Sequence, residues 1–302
     1  MNMKRNPKIM VLGAGAIGSL FGGLLSDFGY DVTLVGRASH VKAIKENGLI
    51  VSGFTDKTIE VDATTEPVES DIVFLTVKSY DTEQAIREIP ISKETIVVSI
   101  QNGLNNLETI FKYVKKSQIV GGVTPDGSLT LSPGKIRHTG IGYTVIGGLD
   151  EEGTMITRDI AKLLTDAGLK TEVSEDIMEK IWEKLMINVG INAPAALTGM
   201  RNGELPTYEE TQWVMVEAIK EAILVAEKVG INIPKDMVER VVDVTEKTAE
   251  NRCSMLQDVA NKKRTEIDAI NGAIVRLGED MGIDTPINRT LYSLIKGIEG
   301  KI

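Results

Sequence analysis

Three polar side chains recur at four-residue intervals within one apolar stretch. In IWEKLMINVGINA (181–193) they are Lys184, Asn188 and Asn192, set among Ile181, Leu185, Met186, Ile187, Val189 and Ile191. At roughly 100° per residue, positions i, i+4 and i+8 of a helix stay within a stripe about 80° wide. One ammonium and two amides on that stripe could fix a small polar ligand in a cleft. The competing reading is a solvent face, which most polar stripes are. The stripe lacks the Glu/Lys mixture of an exposed surface, and only Glu183 has an outward character.

A second group sits near the start. VLGAGAIGSLFGG places Gly13, Gly15 and Gly18 directly after an apolar run and at the head of a helical pattern. Gly13 permits a tight turn, Gly15 lets a pyrophosphate approach the backbone, and Gly18 lets the helix pack closely on the sheet. The expected cradle is Gly13, Ala14, Gly15, Ala16, Ile17 and Gly18, with free N–H groups and a partial positive charge at the helix start. The second apolar run ends in VTLVGRASH. An NAD-preferring site usually carries Asp or Glu there; this chain has Gly36 and Arg37. A guanidinium can pair with a 2′-phosphate in fork geometry, so NADPH/NADP+ is the expected cofactor. His40 and Lys42 could add to the positive field. An exposed loop arginine is the plainer alternative. Lys78 in LTVKSYDT and Asn102 in SIQNGLNN stand at matching strand ends, where open α/β sheets bind ligands. Gln101-Asn102-Gly103 could also be only a turn. His138 has no obvious acidic partner and reads as structural.

These residues need elements to hold them. KIMVLG (8–13), DVTLVG (31–36), DIVFLTV (71–77) and TIVVSI (95–100) are continuous, β-branched runs, as in a parallel sheet covered on both faces. Helical patterns at 18–28 and 82–89 alternate with them, which predicts a doubly wound α/β domain. Alternation over 58–64 and 135–147 suggests extra antiparallel strands at the sheet's far side. Beyond Glu175 strand signals vanish. The stretch 208–230 has apolar residues at helical spacing and a glycine stop, while Pro234 and Pro286 stand where first helical turns would begin. The expected division is a dinucleotide-binding domain over 1–173 and a helical substrate domain over 174–302. The crevice between such domains is a favoured ligand position, which favours the cleft reading of the Lys184 stripe.

Composition narrows the function class. The chain has 302 residues, 42% hydrophobic and 25% charged, within the range of ordinary globular domains. A formal charge of −9 disfavours nucleic acid as a partner. The single cysteine, Cys253, forbids an intrachain disulfide, fits a reducing compartment, and reads as an apolar filler. MNMKRNPKIM has no apolar run of signal-peptide length, and no segment approaches the roughly 20 apolar residues of a membrane span. The expectation is a cytoplasmic protein with no membrane partner. His, Cys and carboxylates do not cluster, so no metal site is expected. Monomer and homodimer both remain open, because helix faces carrying Val, Met and Trp213 could be covered internally or by a partner.

Along nearly its full length, from VLGAGAIG to DTPINRTLYSLIKGIE, the chain resembles the ketopantoate reductase (2-dehydropantoate 2-reductase) family. The most specific parts are KLMINVGINAPAALTG, NGEL and AENRCSMLQDVANKKRTEIDAINGAIV. The resemblance implies a Rossmann-like NADP-binding domain followed by an all-helical domain of the 6-phosphogluconate dehydrogenase C-terminal type. It implies NADPH-dependent reduction of 2-dehydropantoate to (R)-pantoate, on the route to pantothenate and coenzyme A. The family's proton donor falls on Lys184. Its substrate-binding asparagines fall on Asn188, Asn192 and Asn202, and the segment for the substrate carboxylate on Asn251 to Ser254. Lys78 and Asn102 match cofactor contacts, Asn102 standing close to substrate as well. Glu266 lies where the family places a glutamate near both cofactor and substrate. Gly127, in GGVTPDG, aligns with another cofactor-side loop. Cys253 departs from the pattern, since relatives often have a small hydroxyl residue there; that puts a side-chain hydrogen bond at this position in doubt.

The ladder then has a chemical purpose. Negative charge builds on a ketone oxygen as hydride reaches its carbon, and a cationic donor beside it stabilises that charge and delivers a proton. Two alternatives stay beside this reading. One is a reductase of another branched 2-keto acid. The other is a non-catalytic NADPH sensor, which would have no reason to keep Lys184, Asn188, Ser254 and Glu266 together.

Overall fold

The four β-branched runs form the middle of one sheet because their side chains are apolar on both faces, and each face is covered. The computed structural model describes residues 6–301. Residues 1–5, the basic start of the N-terminal stretch, lie outside the described residues. The chain divides into two compact units, residues 1–101 with 106–180, and residues 102–105 with 181–302.

In the first unit the elements run β1 (Lys8–Leu12), α1 (Ala16–Phe28), β2 (Asp31–Val35), α2 (Ala38–Asn47), β3 (Leu49–Gly53), β4 (Lys57–Ile59), β5 (Asp62–Thr64), β6 (Ile72–Leu75), α3 (Thr82–Glu88) and β7 (Ile96–Ser99). Then follow α4 (Asn106–Phe111), β8 (Ile119–Val123), β9 (Gly127–Ser132), β10 (Lys135–Gly140), β11 (Thr144–Gly148), α5 (Glu151–Asp166) and β12 (Thr171–Val173). The main sheet has the order β12-β11-β8-β7-β6-β1-β2-β5, parallel except where β11 meets β8. Strand order reverses at β1, with β2 on one side and β6 on the other; such a switch point is where open α/β sheets bind ligands. Register matters here. Leu12 pairs with Val35 and with Leu75, and Leu75 pairs with Ser99, so four carboxyl ends finish level.

The extra strands differ from expectation. β5 joins the main sheet parallel to β2, while β4 and β10 belong to a separate sheet ordered β4-β3-β10-β9. In that sheet β10 runs parallel to β3, and only β11 forms an antiparallel pair in the main sheet. The cause lies in α1, where LFGGLL is apolar on every side. A Cβ on Gly22 would stand 2.3 Å from Leu34 of the main sheet, and one on Gly23 would stand 2.7 Å from Leu49 of the second. The helix is thus clamped between two sheets, and the adjacent glycines let both approach.

The second unit is helical: most of α6 (Ile177–Thr198), then α7 (Glu209–Val229), α8 (Met237–Lys247), α9 (Ser254–Ala260), α10 (Asn271–Met281) and α11 (Pro286–Glu299). Gly230 closes α7 in the left-handed region at φ 91°, and Pro286 occupies the first turn of α11. Pro234 does not start a helix. It opens a turn whose carbonyl accepts from Met237 N–H, and α8 begins there. A Cβ on Gly190 would meet Ile219 at 2.7 Å, so that glycine lets α7 pack against the middle of α6. The Glu221 carboxylate accepts from the N–H groups of Ile287 and Asn288 and so caps α11. Among the described residues no helix is long and apolar enough to cross a membrane.

Candidate active site

The level strand ends of the first unit carry part of the predicted cofactor set: the glycine turn, Arg37 and Lys78. Gly13 turns at φ 108°, and a Cβ there would lie 2.6 Å from Val77 N. Gly18 is tighter still, with its absent Cβ 2.3 Å from Gly13 O and 2.5 Å from Thr76 Oγ1. Gly15 is the reverse: it is exposed, and a Cβ would find nothing closer than Gly13 O at 3.8 Å. Two of these glycines serve packing, and the third leaves the backbone open to an incoming group. Gly13 and Ala14 N–H both donate to Val35 O, which fixes the turn. Gly15 caps α1 without a side-chain bond, and the first turn holds no acid. Ala16 and Ile17 are partly exposed there and Gly18 is buried, at the end of the helix where N–H groups lack intrahelical partners. Backbone donors and a helix dipole arranged in this way have the chemistry that suits a phosphate.

Gly36 sits against Ala14, its absent Cβ 2.9 Å from the alanine Cβ. Arg37 follows, exposed, with no ion pair or side-chain hydrogen bond among the described residues. His40 departs from expectation. It is buried, and Gly134 N–H donates to its Nδ1, so the ring proton lies on Nε2, which faces Ser19 Oγ at 3.0 Å. Burial lowers its pKa. His40 is therefore a neutral structural imidazole and adds nothing to a positive field. Lys42 is exposed and lies 3.8 Å from Glu46. His138 bridges Thr55 Oγ1 and Gly140 O inside the second sheet, a structural role.

Lys78 is partly buried just beyond β6, and its carbonyl accepts from Asp81 N–H. Asn102 is partly buried, and in the second unit's short segment Leu104 N–H donates to Ala269 O. Gly127 is not in a loop. It opens β9 opposite Gly140, with its absent Cβ 2.6 Å from Thr139 Oγ1, so close strand pairing requires the glycine. Sequence reasoning missed Thr76, whose hydroxyl donates to Gly13 O at 2.8 Å and ties the end of β6 to the glycine turn. No local signal could have found it, since the two residues lie 63 apart in the chain.

In the second unit the α6 stripe is not a wet face. Asn188 and Asn192 are 8% and 5% exposed, and Lys184 is only partly accessible. Asn188 Nδ2 is buried without a hydrogen-bond partner. Lys184 has no hydrogen bond or ion pair among the described residues, and desolvation alone lowers its pKa below the ordinary lysine range. Asn202 is buried nearby in the fold. Its N–H donates to Asn251 O and its Nδ2 to Thr248 Oγ1, while its Oδ1 has no partner. Cys253 is more than filler. Its Sγ accepts from Leu256 N–H at 3.4 Å, capping α9, and donates to Asn192 O at 3.6 Å. Burial pushes its thiol up to about 11, so it stays protonated at neutral pH and is no nucleophile. These bonds bring the 251–254 segment to Asn192 on α6 and to Asn202. Asn251 and Ser254 themselves are exposed.

Glu266 stands on a different stretch. It is 5% exposed and caps a 3-10 turn, accepting at its carbonyl from Ala269 N–H. Thr265 donates twice to Glu299 of α11, and Asp268 accepts from Lys296, Arg264 and Tyr292, which pins the residues on either side. A surface pairing of Glu266 with Lys262 or Lys263 does not fit that burial. Among the described residues no group of three or more His, Cys, Asp or Glu could hold a metal ion.

The family described as "Ketopantoate reductase PanE/ApbA" matches residues 9–151, and its C-terminal counterpart, "Ketopantoate reductase PanE/ApbA C terminal", matches 176–299. A 2-dehydropantoate 2-reductase of Archaeoglobus fulgidus is 40% identical over 296 residues, covering 98% of this chain and 99% of that protein. One from Streptococcus pyogenes serotype M1 is 32% identical, covering 96% and 97%. Among solved structures, a PanE/ApbA family ketopantoate reductase from Ralstonia eutropha JMP134 superimposes with a TM-score of 0.91 at 33% identity, covering 97% of this chain and 99% of that one. A D-mandelate dehydrogenase bound to NADH and anilino(oxo)acetate gives 0.90 at 28% identity, with the same coverage. Matched from the glycine turn through the polar stripe of α6, this chain belongs to the ketopantoate reductase PanE/ApbA family.

Proposed function

We propose that this protein is an NADPH-dependent 2-dehydropantoate 2-reductase, with cofactor bound by residues of 1–173 and substrate handled by residues of 174–302. The observation that carries the reading is the α6 stripe. A desolvated lysine without a counter-ion, beside a buried amide with an unsatisfied donor, is costly in a finished interior: about 1–3 kcal/mol for the orphaned group alone. A polar ligand that accepts from both groups removes that cost.

The residues of the first unit fit a dinucleotide phosphate: an open Gly15, a helix start without acids, and an Arg37 paired with no carboxylate among the described residues. Bound NADPH would supply the hydride. The chain's own residues do the rest. Lys184 Nζ donates to the ketone oxygen, stabilises the charge that grows there, and transfers a proton as the alcohol forms. Its neutral amine then regains a proton from solvent. A lowered pKa brings this donor closer to neutral pH, where a general acid works best. Asn188 and Asn192 orient the substrate without adding a charge that competes with its carboxylate. Asn202, Asn251 and Ser254 hold the carboxylate side, and Glu266 accepts from a hydroxyl. We place the enzyme in the cytoplasm, as monomer or homodimer.

A second reading has one observation in its favour. The likeness to a D-mandelate dehydrogenase points to other 2-keto acids as substrates of the same build. Turnover of 2-dehydropantoate, a branched aliphatic 2-keto acid and an aryl 2-keto acid, each with NADPH and NADH and followed at the nicotinamide absorbance band, separates the two. A higher kcat/KM for either competitor than for 2-dehydropantoate would remove the proposed substrate.

A further inference from the structure

The ladder between β6 and β7 ends at the pair Leu75 and Ser99, yet the chain beyond β6 must still reach Lys78 in a fixed shape. Past Leu75 no strand neighbour among the described residues donates to the Val77 carbonyl. One side chain does. Gln101, two residues beyond Ser99, reaches back so that its Nε2 donates to Val77 O at 2.8 Å and to Thr82 Oγ1 at 2.7 Å. Its Oε1 accepts from Ser99 Oγ at 2.9 Å. Thr82 Oγ1 in turn donates to Asn106 Oδ1 at 3.0 Å. Every donor in this chain of bonds has one consistent direction. A flipped amide would set its oxygen against the Val77 carbonyl, so the orientation is determined. Ser99, Thr82 and Asn106 are buried, which shields these bonds from competing water.

On its other side the same segment is held by Thr76, whose hydroxyl donates to Gly13 O. Residues 76–78 are thus gripped from two directions, by Thr76 toward the glycine turn and by Gln101 toward β7. Lys78 follows immediately and caps the next turn. We propose that Gln101 is a positioning residue for dinucleotide binding, whose amide fixes the Val77 carbonyl and through it the placement of Lys78. This rests on the reading that the row of strand ends holds NADPH. Gln101 need not touch the cofactor. Its effect passes through the backbone of one neighbour, as polar side chains that satisfy orphaned carbonyls do.

The test is a double-mutant cycle on NADPH affinity, measured by fluorescence titration on the full chain: wild type, Gln101→Glu, Lys78→Ala and the double variant. Gln101→Glu keeps the volume and the acceptor for Ser99 but loses both donors. It should weaken NADPH about tenfold, the scale of a lost buried hydrogen bond. In the Lys78→Ala background the same change should cost less than about twofold, because residues that act through one another are not additive. A side chain that only stabilised the fold would lower the melting temperature while leaving the dissociation constant in place, or would give losses that multiply; either result overturns the proposal. Should Gln101→Glu fail to fold, Thr82→Val removes one acceptor of the same amide. A loss of about threefold that vanishes with Lys78→Ala then supports the clamp, and an unchanged dissociation constant overturns it. Wild-type protein that binds NADPH but does not reduce 2-dehydropantoate would refute the reductase reading alone, since the cycle is read from binding. Wild-type protein that binds neither dinucleotide would overturn the clamp as well.

Discussion

Replacing Lys184 by Met should remove activity and make the apoprotein more stable. Met keeps most of the aliphatic stem and removes the ammonium, so the packing of α6 changes little. Loss of a general acid costs about 10²–10⁴ in kcat, or roughly 2.7–5.4 kcal/mol at 1.36 kcal/mol per tenfold. Stability should move the other way. Desolvation is the only cause that shifts Lys184, and no acidic partner offsets it, so removing the charge relieves a penalty and breaks no ion pair. The sign follows from linkage. With the folded pKa below that of the unfolded lysine, the unfolded chain binds more protons in between, and wild-type stability rises as pH climbs from the folded pKa toward about 10.4. Below the folded pKa the penalty is complete. Lys184→Met should therefore melt at least about 2 °C higher at pH 7, with the gain shrinking as pH rises. The donor must be protonated, so wild-type kcat should fall with rising pH earlier than an ordinary lysine would allow. Steady-state rates and calorimetric melting from pH 6 to 10 measure both limbs. A Lys184→Met enzyme within tenfold of wild-type kcat, or one that melts lower at pH 7, would refute this reasoning.

Arg37→Ala should weaken NADPH about 10–100-fold, the range of a charge-assisted hydrogen bond, and change NADH by less than about threefold; equal losses in the two titrations would remove Arg37 from cofactor choice. Ser254→Ala should raise KM for the keto acid about tenfold with kcat nearly kept, because a carboxylate contact exists in ground and transition states alike, whereas Glu266→Gln should lower kcat by more than about tenfold. Steady-state kinetics in which the two variants fail in the same way would contradict these assignments. His40 is held neutral by burial, so its pKa is lowered on folding, and stability should drop as pH falls from about 6.5 through the folded value, at no more than about 1.4 kcal/mol per pH unit. Urea midpoints of His40→Asn between pH 7.5 and 5 should lack that slope, and parallel curves for the two proteins would rule it out.

Much of the candidate site was legible as a pattern because its signals are local. Turn, strand and helix act over a few residues, so the glycines at 13, 15 and 18, the β-branched runs and the i, i+4, i+8 spacing of Lys184, Asn188 and Asn192 each stand in a short window. The stop at Gly230 and the start at Pro286 are local for the same reason. Periodicity left one question open, because it places three polar residues on one face without saying what covers that face. Tertiary packing decided it by enclosing the stripe, and the same packing set the direction of the Lys184 shift. Other features depended on partners far away in the chain. Thr76 reaches Gly13, Gln101 reaches Val77, Gly134 sets the tautomer of His40 across 94 residues, and Cys253 reaches Asn192 across 61. The second sheet belongs with these. β4 and β5 lie almost adjacent in sequence yet pair in different sheets, because α1 carries small residues on two sides and both sheets close on it. Residue type determines what each position can donate, accept or bury; which group it meets is set by register and packing, and these are sums over contacts that no single window contains.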